Sequence, residues 1–305
     1  MDVSIIIVSY NTKKLTSDCL RSLYRQTSGV DFEAIVVDNA STDGSQEMVK
    51  RDFPQAILIE NQNNLGFGAA NNRGRALAKG KYILYLNSDT LLLNNAIKIF
   101  FDYFEQNGEK QNIGALGANL VGTDGNLAHS YGSFLNANTE IKNCARAVFA
   151  GAVYTALSLF SKRFPPKIPK AAPARFYKGS VDYIEGADLF VKNDESAAFD
   201  ERFFLYCEET DLQLQMARAG KLRLLIDGPK IVHLNGASSQ KPADRVRVHA
   251  TTAGINFNLS RIHYFRKNGA PRAKIALLKF LTLLIWLNPL VFKSTKARIP
   301  ELLKI

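Results

Sequence analysis

The chain has 305 residues, enough to bury a large core as one α/β domain or as a domain with an appendage. A hydrophobic content of 46% excludes a disordered chain, and three scattered cysteines (Cys19, Cys144, Cys207) without C-x-x-C spacing exclude a disulfide framework or a cysteine zinc site and point to a reducing compartment. The net charge of +11 is concentrated: residues 140–178 carry +7 and residues 245–304 carry +11, which leaves the rest of the chain mildly acidic and implies an anionic partner for two segments.

Residues 3–9, apolar but for Ser4 and Ser9, read as a first strand, and no signal peptide is expected before it. Residues 16–26 read as a helix, residues 32–37 as a second strand ending at Asp38, and residues 39–44 as a turn in which Asp43 and Gln46 resemble a helix cap. A third strand (56–60), a loop (61–68), a helix (69–78) and a fourth strand (81–86) follow. Such alternation predicts a Rossmann-like, mostly parallel central sheet flanked by helices. Beyond it come a helix near 94–106, a strand near 113–120 and a turn at 122–125. Residues 134–180 read as a basic insertion, apolar over 145–160 and then broken by Pro165, Pro166, Pro169 and Pro173. Regular structure resumes at 181, and residues 241–305 read as a basic, partly amphipathic helical extension to a catalytic domain over 1–240, with a nucleotide-binding half (1–125) and an acceptor half (181–240).

Four motifs fall at the carboxyl ends of strands, where open α/β sheets bind ligands. They are Val8-Ser9-Tyr10-Asn11, the stretch from Val36 to Ser45 containing Asp38, the glycine-rich loop from Asn64 to Gly74, and Leu86-Asn87-Ser88-Asp89. Further on stand Glu208-Glu209-Thr210-Asp211 and Val232-His233. Together these resemble family 2 glycosyltransferases of the GT-A fold, in the bacterial rhamnosyltransferase-like group, over residues 3–239. The resemblance implies inverting transfer from a nucleotide-diphospho-sugar with a divalent metal, Mg²⁺ or Mn²⁺.

By that resemblance Asp38 meets the nucleotide base, with Ser9, Tyr10 and Asn11 beside it. Asn64, Gly66 and Arg73 lie along nucleotide and diphosphate, although Gly66 is also a residue that shapes a turn. Asn87 and Ser88 stand at the donor, and Asp89 holds the metal; the usual Asp-x-Asp is here Asn87-Ser88-Asp89, so one carboxylate remains, which suffices for Mg²⁺ bound largely by phosphate oxygens and water. His233 either completes the metal site or is structural. Inversion needs a base for the acceptor hydroxyl. Glu209 stands where the family usually has Asp, and Glu208 is the second candidate. Asp211 orders the acceptor loop, and Asp188 is either an acceptor contact or a polar residue turned outward.

The expected donor is dTDP-L-rhamnose, or a UDP-linked sugar, and the expected acceptor a polyprenyl-diphosphate-linked glycan of a bacterial surface polysaccharide. The expected location is cytoplasmic, peripheral on the inner face of the cell membrane. The apolar stretch 275–287 is too short to span a bilayer and reads as an interfacial helix, or as a helix packed on the body of the protein or in a homodimer contact. Two other classes are a nucleotidyltransferase, which would show a Gly-rich basic loop where Val8-Ser9-Tyr10-Asn11-Thr12 has none, and a non-catalytic nucleotide-sugar or nucleic-acid binder. Nucleic acid is not the expected partner, because only Tyr264 and Phe265 beside Arg266 place aromatics among the cations.

Overall fold

A computed structural model describes residues 1–160, 174–234 and 247–305. The prolines at 165, 166, 169 and 173, and residues 235–246 at the expected domain junction, lie outside the described residues. In chain order the first elements are β1 (Val3–Ser9), α1 (Lys13–Gln26), β2 (Phe32–Asp38), α2 (Ser45–Asp52), β3 (Ile57–Glu60), α3 (Phe67–Arg75), β4 (Tyr82–Asn87) and β5 (Thr90–Leu92). Then come α4 (Ala96–Asn107), β6 (Ile113–Ala118), β7 (Tyr131–Gly132), α5 (Ala137–Phe160), β8 (Gly179–Ser180), β9 (Tyr183–Ile184) and β10 (Asp188–Lys192). The chain continues through α6 (Glu208–Arg218), β11 (Leu222–Ile226), β12 (Ile231–His233), α7 (Thr252–Lys267) and α8 (Arg272–Trp286).

These elements form two compact units. The first comprises the described residues of 1–134, 174–204 and 208–234, and the second those of 135–160, 205–207 and 247–305. The first unit holds an eight-stranded sheet in the order β3-β2-β1-β4-β10-β6-β11-β8. β1 runs parallel to β2 and β4, and β6 parallel to β11, while β10 is antiparallel to both its neighbours. The expected mostly parallel sheet is therefore present, and its order reverses at β1 and β4, where a crevice opens at their carboxyl ends.

Strand periodicity builds both layers. Ile5, Ile7, Val36 and Leu84 face one way onto Leu20 and Leu23 of α1 and Phe100 and Phe104 of α4. Ile6, Ile35, Val37 and Tyr85 face the other way onto Ala70 of α3 and Leu212 and Met216 of α6. Outside the sheet, β5 pairs antiparallel with β12, so that Thr90 stands opposite His233. β7 pairs antiparallel with β9, and just beyond that pairing Phe134 N–H donates to Asp182 Oδ2 at 3.0 Å. The chain thus leaves the first unit at Phe134 and returns beside the same point.

The excursion itself is α5, a 24-residue helix, at the place of the basic insertion expected over residues 134–180. Alanines at 137, 145, 147, 150, 152 and 156 favour the helix, and no proline interrupts it. It groups with the C-terminal helices in the second unit. There Arg261 of α7 is buried, its guanidinium donating to Glu140 Oε2 at 3.0 Å, Cys144 Sγ at 2.9 Å and Thr282 Oγ1 at 3.1 Å, which ties α5, α7 and α8 together. Among the described residues no helix is long and apolar enough to cross a membrane.

Candidate active site

The carboxyl end of β1 is laced by hydroxyls. Ser9 is buried, and its Oγ lies 3.2 Å from Thr12 Oγ1 and accepts from Thr16 Oγ1 at 3.1 Å. Thr12 Oγ1 is also 3.2 Å from Ser88 Oγ, which bridges the crevice between β1 and β4. Neither Thr12 nor Thr16 stood out in the sequence, since hydroxyls at a helix start are ordinary. Tyr10 is exposed beside them. Asn11 adopts a left-handed φ of 54°, and its Oδ1 accepts from Thr42 N–H at 2.8 Å, joining the loops after β1 and β2. Asp43 strengthens this junction by accepting from Lys13 N–H at 2.8 Å and from Ser45. Burial pushes its carboxyl up, but the hydrogen bonds from Ser45 and Lys13 outweigh this and hold it below its ordinary value.

Gln46, read as Asp43's capping partner, instead donates to Asp38 Oδ1 at 2.7 Å, which also accepts from Ser41 N–H at 2.8 Å. Asp38 is buried, and among the described residues its Oδ2 has no hydrogen-bond partner. A buried carboxylate oxygen left without a donor is costly, and a nucleobase N–H would satisfy it. Next to it, Asn39 pins the glycine-rich loop by donating to Asn64 Oδ1 at 3.2 Å and to the Gly66 carbonyl at 3.1 Å. Asn64 Oδ1 also accepts from Gly66 N–H at 2.9 Å. Gly66 has φ 86°, and a Cβ there would stand 2.1 Å from the Phe204 carbonyl oxygen. Its glycine is thus demanded by close backbone packing. Arg73 is exposed six residues into α3, about 9 Å along the axis from the helix start, so the structure does not gather it with Asn64 and Gly66.

At the end of β4, Asn87 N–H donates to the Ala187 carbonyl at 3.0 Å, and Ser88 and Asp89 are buried. The β5–β12 pairing delivers His233 to Asp89, with Nε2 3.2 Å from Oδ1. His233 Nδ1 is buried without a partner among the described residues. A short strand such as β5 is invisible to periodicity because its partner lies far along the chain. Among the described residues no cluster of three or more His, Cys, Asp or Glu side chains forms a metal cage. Asp89 and His233 fit an ion that takes its remaining ligands from a diphosphate and water.

Glu209 sits in the first turn of α6, preceded by Tyr206 and Cys207 with successive left-handed φ values of 70° and 68°. Gln213 docks this helix by imitating a strand, since its Oε1 accepts from Ile184 N–H and its Nε2 donates to the Ile184 carbonyl, both at 2.8 Å. Glu209 then lies over Gly186, whose absent Cβ would be 3.6 Å from the Glu209 Cβ. Because Ala187 is bonded to Asn87, the Gly186–Ala187 step links the acid to the end of β4. Burial first, and the neighbouring Glu185 charge second, push the Glu209 carboxyl up to about 7. Glu185 is itself paired with His129, Nδ1 to Oε1 2.9 Å, which holds that imidazole above its ordinary value. Glu208 and Asp211 are buried, and Asp211 accepts from Gln215 at 3.4 Å.

Asp188 does not turn outward. It is fully buried, and its Oδ2 accepts from Ala118 N–H at 2.7 Å, so the side chain closes the gap between β10 and β6. Burial raises its pKa well above the ordinary carboxylate range. A raised folded pKa favours the protonated form, so the associated stability is complete below about pH 3.9 and is lost as pH rises through the folded value. Asp188→Asn should therefore gain stability relative to the wild type as pH increases, read as the difference in urea midpoint between pH 5 and pH 9. A difference independent of pH would refute this.

An open cavity of about 680 Å³ lies elsewhere, between α1 and α2, and shares only Asn11, Thr12 and Asp43 with these loops. Of its four cations, Lys14 is paired with Asp18 and Arg51 with Asp52.

The family model for glycosyl transferase family 2 matches residues 4–157, half of the chain. The chain belongs to this family. Among curated relatives, the poly(ribitol-phosphate) beta-glucosyltransferase of Bacillus spizizenii is 36% identical over 121 residues, covering 38% of this chain and 19% of the relative. Glycosyltransferase GlyG of Streptococcus pneumoniae is 30% identical over 128 residues, covering 41% of this chain and 42% of the relative. The matched part thus spans less than half of either relative. Among solved structures, the mannosyltransferase PcManGT of Pyrobaculum calidifontis, in complex with GDP-Man and Mn²⁺, superposes with a TM-score of 0.54 at 16% identity, covering 99% of this chain and 75% of that one. S. aureus TarS 1–349 in complex with UDP gives a TM-score of 0.51 at 16% identity, covering 99% and 89%. These likenesses carry the family's fold and nothing finer.

Proposed function

We propose that this family 2 protein is an inverting glycosyltransferase that moves a sugar from a nucleotide-diphospho-sugar to a hydroxyl of a lipid-linked glycan. The observation that carries the reading is the convergence, at one sheet edge, of Asp38 with its partnerless oxygen, the Asp89–His233 pair, and Glu209 over Gly186. Asp38 accepts from the base, Asn87 and Ser88 stand along the donor, and Asp89 and His233 hold a divalent ion. When bound, the ion neutralises charge on the diphosphate.

Glu209 takes the proton of the acceptor hydroxyl as that oxygen forms its bond to the anomeric carbon. The bond from that carbon to the diphosphate breaks, and the electron pair leaves with the nucleoside diphosphate. A carboxyl with its pKa pushed up to about 7 is a stronger base than an ordinary glutamate and is still half ionised at neutral pH. Glu208 is the second candidate, although it is more deeply buried. dTDP-L-rhamnose is the first donor to test and UDP-sugars the next, with a polyprenyl-diphosphate glycan on the inner face of the membrane as acceptor.

Thermal unfolding with dTDP, UDP or GDP, each with and without Mn²⁺, tests the donor site. At a nucleotide concentration of about 100 Kd, binding adds about 2.7 kcal/mol of stability. Asp89→Ala should erase the metal-dependent part of that shift and leave the apo protein folded. If no nucleotide shifts the wild type, the transferase reading fails.

A further inference from the structure

The outer side of α8 breaks the usual rule for a surface helix. α8 buries Leu278, Thr282, Ile285 and Trp286, which cluster on one side of the helical wheel. The opposite side carries Ala273, Ala276, Leu277, Phe280, Leu284 and Leu287, all exposed. Phe280 is 56% exposed and Leu287 47%, and no polar side chain interrupts the stripe. A helix apolar on its outer as well as its inner side is one that meets another apolar phase.

The charges stand at its ends. Arg272 opens the helix, Lys293 and Lys296 follow it, and all three are exposed. Lys279, within the helix, is turned aside to the Leu303 carbonyl at 3.0 Å. Residues 245–304 contain one acid, Glu301, which is paired with Arg298. A second copy laid on this stripe would bring two strongly positive segments together, whereas an anionic surface complements them. With 15 residues α8 is about 22 Å long, short of the ~30 Å of a bilayer core.

We propose that the outer face of α8 docks in the plane of an anionic membrane, with Leu277, Phe280 and Leu284 at the acyl boundary and Arg272, Lys293 and Lys296 among the headgroups. This surface stands independently of the donor reading, and it supplies the lipid contact that a membrane-borne acceptor requires.

The test is sedimentation of the full chain with vesicles of zwitterionic lipid alone and with about 30 mol % anionic lipid. Binding is expected to the anionic vesicles and to fall as salt rises. Leu277→Ser with Phe280→Ser should weaken it at least about tenfold. Arg272→Gln and Lys293→Gln should each weaken it about fivefold. The variants' unfolding temperature, and any nucleotide shift, report separately on folding and on the donor site. Three results would overturn the proposal: no sedimentation with anionic vesicles at low salt, binding unchanged in the Leu277/Phe280 variant, or a dimer that this variant converts to monomer.

Discussion

Glu209→Gln is expected to lower sugar transfer by about 10²–10⁴-fold while the nucleotide-dependent thermal shift survives. The amide keeps the size of the side chain over Gly186 but cannot take the acceptor proton. The wild type has a second signature. Because burial and Glu185 push the carboxyl up to about 7, the ionised base is depleted below neutrality, and kcat/KM should fall about tenfold per pH unit on the acid side of 7. Stability moves in the opposite sense. The raised folded pKa means that stability complete below about pH 4.3 is lost as pH rises through about 7, so Glu209→Gln should exceed the wild type in stability above pH 7 and converge with it in acid. Nucleoside diphosphate release with a donor that binds, measured from pH 5 to 9, supplies the profile. Retained activity in Glu209→Gln, with loss in Glu208→Gln, would move the base by one residue.

Arg261→Ala should cost about 3–5 kcal/mol, because it strands the Glu140 carboxylate in the interior of the second unit. Arg261 is 2% exposed, and its guanidinium serves Glu140, Cys144 and Thr282 at once. Replacing both partners by methionine removes the buried charges together and should recover most of the loss. Urea unfolding followed by circular dichroism separates these outcomes. A single variant costing less than about 1 kcal/mol would mean that water reaches Glu140 in the native state.

The elements legible in sequence were those with strong local periodicity. β1 through β4 carry alternating or continuous apolar runs, and the motifs at their carboxyl ends could be placed on one sheet edge before any coordinate. What the sequence hid depends on distant pairing. Asp188 looked able to face outward, yet its neighbours are Leu86 and Ala118, brought from two other strands. The Asp89–His233 contact exists because a three-residue strand finds a partner about 140 residues away. Asp43 and Gln46 carried the spacing of a capping pair, but the tertiary loops draw Gln46 to Asp38 and give Asp43 the start of α1 instead. The His129–Glu185 pair beside Glu209 was equally beyond local reading.

The hydrogen bond from Phe134 to Asp182 has a consequence for how such a protein can diversify. It clamps the exit and the return of residues 135–178 at one place, beside the β7–β9 pairing. Whatever hangs from that clamp is tethered by two adjacent ends, so its contour can change with little effect on the sheet: closure costs grow by only about 0.6 kcal/mol per doubling of length. To the sheet only the two ends of the segment matter, whereas α5 itself is fixed by Glu140 and Cys144 on Arg261. A change of length between those two ends leaves the loops after β1, β2 and β4 as they are.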